Sequence, residues 1–196
     1  FAFFSNAILA LMGMVDFFPD VYSANDWQTA LSVILLKRRN GMSPGYSGVK
    51  AVYTIHNIEY QGVYGRETMG DLFGLDEMDA STVEFDGAVN LTKGAILCAD
   101  AVTTVSPKYA EEIQTPFFAH GLHDILREHS FKLSGIVNGI DTDFYNPKTD
   151  KDLKFNYSYR GLTGKGKNKA ALQEEYGLPV CPDVPVIAMV SRLVDH

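Results

Sequence analysis

Cysteine is scarce in this sequence: Cys98 and Cys181 are the only two, far apart and each in apolar surroundings. Such usage gives no disulfide framework and fits reduced, buried thiols in a cytosolic protein. Basic charge is also short, with 17 Lys and Arg against 24 Asp and Glu, a formal net charge of −7, and no long run of basic residues. That balance argues against a nucleic-acid partner, whose phosphates call for a basic stripe. The opening apolar run, Phe1 to Val15, ends at Asp16, short of the roughly 20 residues that a membrane-spanning helix needs. It has no basic start and no small-residue cleavage site, so it reads as neither signal peptide nor anchor, and no membrane partner is expected. The chain opens on Phe instead of Met and stops at His196 directly after an apolar stretch, so both ends read as cut.

What is present is ordinary globular material. Apolar residues make up 46% of the 196 positions and charged residues 21%, enough for a good hydrophobic core at a length that leaves one or two domains open. Short β-branched or aromatic runs predict strands at Val21–Ala24, Val49–Ile55, Ala101–Val105, Gly135–Val137 and Val186–Val190. Longer amphipathic patterns between them predict helices at Trp27–Arg38, Leu91–Ala99, Pro107–Ile113, Gly121–Glu128 and Lys167–Tyr176. The alternation predicts an α/β fold of Rossmann-like parallel sheets with helical crossovers. Asn-Gly, Asn-Pro and lone glycines gather between Asn138 and Gly166, which is linker chemistry. We therefore expect a boundary near Ser134, with one domain over 1–133 and a linker and the start of a second over 134–196.

The polar clusters fall after the strands. Asn25-Asp26-Trp27-Gln28 follows the first, His56-Asn57 the second, Ser106-Pro107 the third, Asn138-Gly139-Ile140-Asp141 the fourth and Ser191-Arg192 the fifth. In open parallel sheets ligands bind beyond the carboxyl ends of the strands, where helix N-termini offer free N–H groups. The pattern predicts a ligand site on that edge.

Several stretches resemble bacterial glycogen synthases and plant starch synthases: Pro19-Asp20-Val21 leading into Asn25 to Ala30, Tyr53 to Gly62, Val102 to Ile113, Leu133 to Asp141, Asn168-Lys169 with Leu172-Gln173, and Val190 to Leu193. Thr54–Gly62 and Gly135–Asp141 are the most specific, and the likeness extends over essentially the whole chain. The resemblance implies a two-domain GT-B architecture, two facing Rossmann-like sheets with the active site in the cleft between them. It implies a glucosyltransferase that moves glucose from ADP-glucose to an α-1,4-glucan acceptor with retention, with no metal and no resident cofactor. It further implies the bacterial cytoplasm, or a plastid in a plant. Two family elements have no counterpart here, the Lys-Thr-Gly-Gly loop of the N-terminal domain and a glutamate deep in the C-terminal one. The phosphate-binding lysine expected after Arg192 would fall beyond His196. The chain thus reads as an internal fragment, inactive by itself.

Breaking a glucosyl–diphosphate bond leaves positive charge on the anomeric carbon and negative charge on the departing nucleotide, so cationic donors belong at the phosphates. The resemblance places Arg192 there, where a guanidinium can hold two phosphate oxygens, although a surface arginine after a strand reads the same way. It places His56 beside the transferred glucose, where a neutral imidazole could bind a hydroxyl or a protonated one stabilise the leaving group; a satisfied core histidine is the competing reading. His56 and Asp26 are the candidate catalytic residues, and Gln28, Asn138 and Arg192 the candidate substrate-binding ones. The family often has histidine at either flank of the Asp-Trp pair, so Asn25 and Gln28 depart from it, and glutamine can bind a hydroxyl but relay no proton. Asn138 also reads as a turn former before Gly139, which is suited to positive φ. Trp27 reads as packing, and Asn57, Tyr60 and Gln61 as shaping their loop.

Other patterns compete. Gly161 to Asn168 is one residue from a Walker A loop, with Asn168 where a magnesium-binding hydroxyl belongs, and would make a P-loop nucleotide-binding protein. Asp141-Thr142-Asp143 resembles the manganese-binding pair of another glycosyltransferase class. His120, His123 and His129 lack a fourth ligand at metal spacing and read as a solvated helix face. A module that holds glucan without reacting with it is a further reading.

Overall fold

From Ala30 to Leu36 every residue of one helix is buried, which marks it as a core helix enclosed on all sides instead of a surface one with a single apolar stripe. The computed structural model describes residues 1–193, which form two units, Phe1–Asn138 and the residues from Gly139 onward. In chain order the first unit contains α1 (Ala2–Met14), β1 (Val21–Asn25), the core helix α2 (Asp26–Arg38), β2 (Lys50–Ile55) and β3 (Val63–Gly65). The one-turn helices α3 (Thr68–Asp71) and α4 (Ala80–Val83) come next, followed by β4 (Glu84–Phe85) and β5 (Ala88–Asn90). It closes with α5 (Leu91–Cys98), β6 (Ala101–Thr104), α6 (Pro107–Glu112), α7 (His123–Glu128), a 3-10 turn at Ser130–Lys132 and β7 (Leu133–Gly135).

Four of these strands make one sheet in the order β1-β2-β6-β7, and every pair is parallel, in the register Ala24 to Tyr53, Tyr53 to Val102 and Val102 to Leu133. Parallel neighbours need crossovers, and α2 and α5 supply them on the way to β2 and β6. Residues that alternate along β2, Ala51, Tyr53 and Ile55, are buried together with the α2 side chains Leu31, Ile34 and Leu35 and with Ala95 and Ile96 of α5. Helix starts follow local chemistry. Asn90 accepts from the Lys93 N–H at 2.9 Å to begin α5, and Ser106 accepts from the Tyr109 N–H at 2.9 Å to begin α6, with Pro107 in the first turn.

Several features differ from the sequence-based expectation. The apolar opening run is helix α1, whose Leu9 and Met12 are buried; among the described residues no helix is long and apolar enough to cross a membrane. A small antiparallel sheet, β3-β5-β4, stands where no strand was expected. Val186–Val190, expected as a strand, is irregular, and Ile187, Met189 and Val190 are exposed. A strand needs a neighbour for its ladder. Among its described residues the second unit has one helix, α8 (Thr163–Glu175), and an isolated bridge between Ser158 and Gly161. The strand expected at Gly135–Val137 lies two residues earlier, as β7 at Leu133–Gly135; Ser134, near which the sequence sets a domain boundary, is within it opposite Thr103, and the units divide after Asn138.

Asp100 ties the amino-terminal ends of the strands together. Its carboxylate takes the Ala51 N–H at 2.7 Å and pairs with Lys37 at 2.6 Å and Lys50 at 3.5 Å. Burial works to raise its pKa, but the hydrogen bonds from Lys37 and Ala51 and the charges of both lysines outweigh burial and hold it below the ordinary 3.8. A carboxylate with a lowered native pKa contributes stability that is complete above the unfolded-state value and fades as pH falls through the native one. Asp100→Asn is expected to lower the urea midpoint at neutral pH and to narrow that deficit as pH falls below about 4. Urea titrations of both proteins across that range check this, and a gap that stays constant would remove Asp100 from the acid response.

Candidate active site

Because all four strands of the main sheet run the same way, Asn25-Asp26, His56-Asn57, Ser106-Pro107 and Ile136 to Asn138 all emerge beyond one edge of it. On that edge β1 and β2 are neighbours, and this brings two of the expected residues together. The Asp26 carboxylate accepts the His56 backbone N–H at 2.8 Å, and the Asn25 side-chain oxygen meets His56 Nε2 at 2.9 Å. His56 is exposed, so it is not a core histidine. Asp26 opens α2 with φ of +55°, a left-handed conformation that aspartate tolerates better than most residues but still at a cost. The chain turns abruptly there from strand into helix, and the turn delivers the carboxylate to the end of β2.

The loop after His56 is held from beneath. Asn57 accepts the Glu59 N–H at 3.0 Å, an Asx turn, and the Tyr109 hydroxyl accepts the Ile58 N–H at 3.2 Å. Gln61 is buried, receives the Asn90 amide at 2.6 Å and donates to the His120 carbonyl at 3.0 Å, so it clamps the loop to α5 and to the segment before α7. Gly62 follows at φ of +65°, packed under Trp27. Trp27 is itself half-buried, edge-on to Phe1 at 5.1 Å and tilted on Tyr64 at 6.2 Å, which makes it packing. Two phenols lie below this edge. Burial raises the pKa of Tyr53, against a hydrogen bond to Thr92 and with the charge of Asp26. Burial also raises that of Tyr109, against its Ile58 hydrogen bond and with the charges of Glu112, Asp26 and Glu59. Both stay protonated and serve as neutral supports.

The remaining expected residues are placed apart from the pair. Gln28, two positions into α2, lines a separate small cavity of about 90 Å³ with Phe1, Trp27, Tyr64 and Phe73, and neither His56 nor Asp26 lines it. Asn138 is exposed just past β7, on the same sheet edge as His56, with β6 between the two strands. Gly139 after it does not take the positive φ expected of it; the turn needs no left-handed residue there. Arg192 is exposed on the irregular segment of the second unit. Asn25, which the sequence marks only as a departure from the family pattern, reaches the His56 ring. The available signal was its place directly before Asp26 at a strand end.

The competing motifs take other roles. From Thr163 the Walker-like segment is helix α8, and Asn168 pairs with both backbone groups of Phe155, so no loop is present to wrap a phosphate. Asp141 accepts the N–H groups of Asp143 and Phe144. His129 contacts the Ile125 carbonyl at 2.9 Å, and among the described residues no group of three or more His, Cys, Asp or Glu is arranged to hold a metal ion.

A parallel, helix-crossed sheet with its polar side chains gathered beyond the carboxyl edge defines a Rossmann-like α/β protein. The family model described as the starch synthase catalytic domain matches residues 1–128. Across 98% of its length the chain is 54% identical to a glycogen synthase of Ligilactobacillus salivarius, and across all of it 50% identical to one of Streptococcus agalactiae. It resembles the solved catalytic domain of starch synthase IV from Arabidopsis thaliana, bound to ADP and acarbose, with a TM-score of 0.74 and 39% identity over 90% of this chain. The chain belongs to the starch synthase catalytic-domain family. It spans 41% and 42% of the two glycogen synthases and 37% of the solved structure.

Proposed function

We propose that this chain is part of a glycogen or starch synthase that transfers glucose from ADP-glucose to the non-reducing end of an α-1,4-glucan with retention. The observation that carries the reading is the joining of Asp26 and His56 at the ends of adjacent parallel strands, where sheets of this kind bind ligands. The family membership, and the ADP and acarbose bound in the related starch synthase structure, support it. In this reading His56 and Asp26 act at the transferred glucose. Gln28, Asn138 and Arg192 bind substrate, with Arg192 at the diphosphate. The first unit belongs to the acceptor-side domain, and the second begins the nucleotide-sugar domain. No metal or resident cofactor takes part, and the enzyme works in the cytoplasm, or in a plastid in a plant.

A full-length version carrying the segments that the relatives have beyond this chain is expected to move glucose from ADP-glucose onto malto-oligosaccharide. It should prefer ADP-glucose to UDP-glucose and lose no activity to EDTA, while the present chain alone turns nothing over. Absence of transfer by the full-length protein would sink the assignment, and dependence on a divalent metal would favour a metal-using glycosyltransferase chemistry.

A further inference from the structure

An asparagine just before a helix ordinarily turns its side-chain oxygen onto the free N–H groups of the first turn. Asn25 does not: α2 has no side-chain cap from it. The Thr29 hydroxyl instead takes the Asn25 N–H at 2.7 Å and reaches the Asn25 carbonyl at 2.7 Å, which fixes the backbone and releases the side chain from capping. The released amide oxygen lies 2.9 Å from His56 Nε2. The same junction holds the His56 backbone through the Asp26 carboxylate at 2.8 Å, with Asp26 strained at φ of +55°. His56 is thus gripped at its N–H and at its ring tip by two consecutive residues, one of which gives up a helix cap to do so.

We propose that Asn25 is a positioning residue that fixes His56 as the Nε2–H tautomer, so that Nδ1 offers a lone pair to a ligand hydroxyl. An amide oxygen can only accept, so the proton of the bond belongs to Nε2. A neutral imidazole carries one N–H, and Nδ1 is then an acceptor. The ligand is a polyol whose hydroxyl donates to Nδ1. That it is the transferred glucose rests on the function proposed above; the tautomer itself does not. His56 in this arrangement receives a hydrogen bond and donates none to the sugar, so a substrate lacking the matching hydroxyl leaves Nδ1 unpaired and is rejected.

The test is nitrogen NMR of the full-length protein labelled with 15N-histidine, recorded well above the imidazole titration, alongside transfer kinetics. The wild type is expected to show a protonated Nε2 and an unprotonated Nδ1 for His56. Asn25→Leu, which suits the extended backbone at this site and removes no helix cap, should show a mixture of both tautomers and a roughly tenfold lower kcat/KM with an unchanged unfolding midpoint. Asn25→Asp, of the same shape and acceptor-only, should keep the proton on Nε2. A wild-type proton on Nδ1, an Asn25→Leu spectrum like the wild type, or a shifted tautomer with unchanged kcat/KM would each overturn the proposal. If the tautomer pattern holds but the wild type transfers no glucose, the enzymatic reading fails and the role of Asn25 in setting the tautomer remains.

Discussion

Asp26→Asn in the full-length enzyme is expected to slow glucose transfer about a hundredfold while leaving the unfolding midpoint nearly unchanged. The substitution isolates charge. Asparagine tolerates the left-handed backbone that Asp26 adopts, and its side-chain oxygen can still take the His56 N–H now accepted at 2.8 Å. What disappears is a negative charge at the edge where positive charge would develop on the anomeric carbon, and a fixed charge aimed at a transition state is worth several kcal/mol where water is displaced. Asp26→Gly makes the complementary cut: it relieves the backbone but leaves the His56 N–H without its partner, and should lower both rate and midpoint. Steady-state kinetics and thermal melts of the two variants separate the roles. If Asp26→Asn keeps full activity, the carboxylate is only a hook for the end of β2, and the catalytic assignment of Asp26 is wrong.

That ambiguity marks how far the sequence alone could go. The alternation of β-branched runs with amphipathic stretches located β1, β2 and β6, placed the fourth strand two residues late, and marked the sheet edge on which Asp26, His56 and Asn138 stand, because period and order are local properties. The strands of the β3-β5-β4 sheet are two or three residues long, too short to carry a period; β3 pairs with β5 far along the chain, whereas β4 and β5 pair across the tight Asp86-Gly87 turn, the one local signal of this sheet. Val186–Val190 has strand composition, but a ladder is a property of pairs and no strand among the described residues lies beside it. The same limit applies at the site. Residue types nominated Asp26 and His56, yet nothing in the letters said that the Asp26 contact is to a backbone N–H, that Asn25 abandons its cap for the His56 ring, or that Gln28 lines a different cavity. Each depends on the abrupt turn at Asp26, a conformation fixed by the packing around it.

Gly62→Ala should destabilise the first unit by about 3 kcal/mol, because two penalties fall on one methyl group. The backbone sits at φ of +65°, where a Cβ costs about 1–2 kcal/mol. The methyl would also lie 2.8 Å from Trp27 Cε3 and 3.3 Å from Leu91 Cβ, and forced overpacking typically costs about 1–3 kcal/mol. Neither neighbour can yield freely. Leu91 is buried at the start of α5, and its N–H bonds the Gly62 carbonyl at 3.2 Å. Trp27 is held edge-on by Phe1 and follows Asp26 directly, so strain relieved by moving the indole passes into the turn that presents the carboxylate to His56. The thermal midpoint should therefore fall by roughly 10 °C, and the activity of the full-length enzyme should drop even at temperatures where the protein stays folded. Gly139→Ala is the control, since its Cβ would meet nothing within 4 Å and its φ is not left-handed. Equal midpoints for the two variants would mean that the loop from His56 to Gly62 is not clamped, and that the alignment of His56 with Asp26 must come from the strands alone.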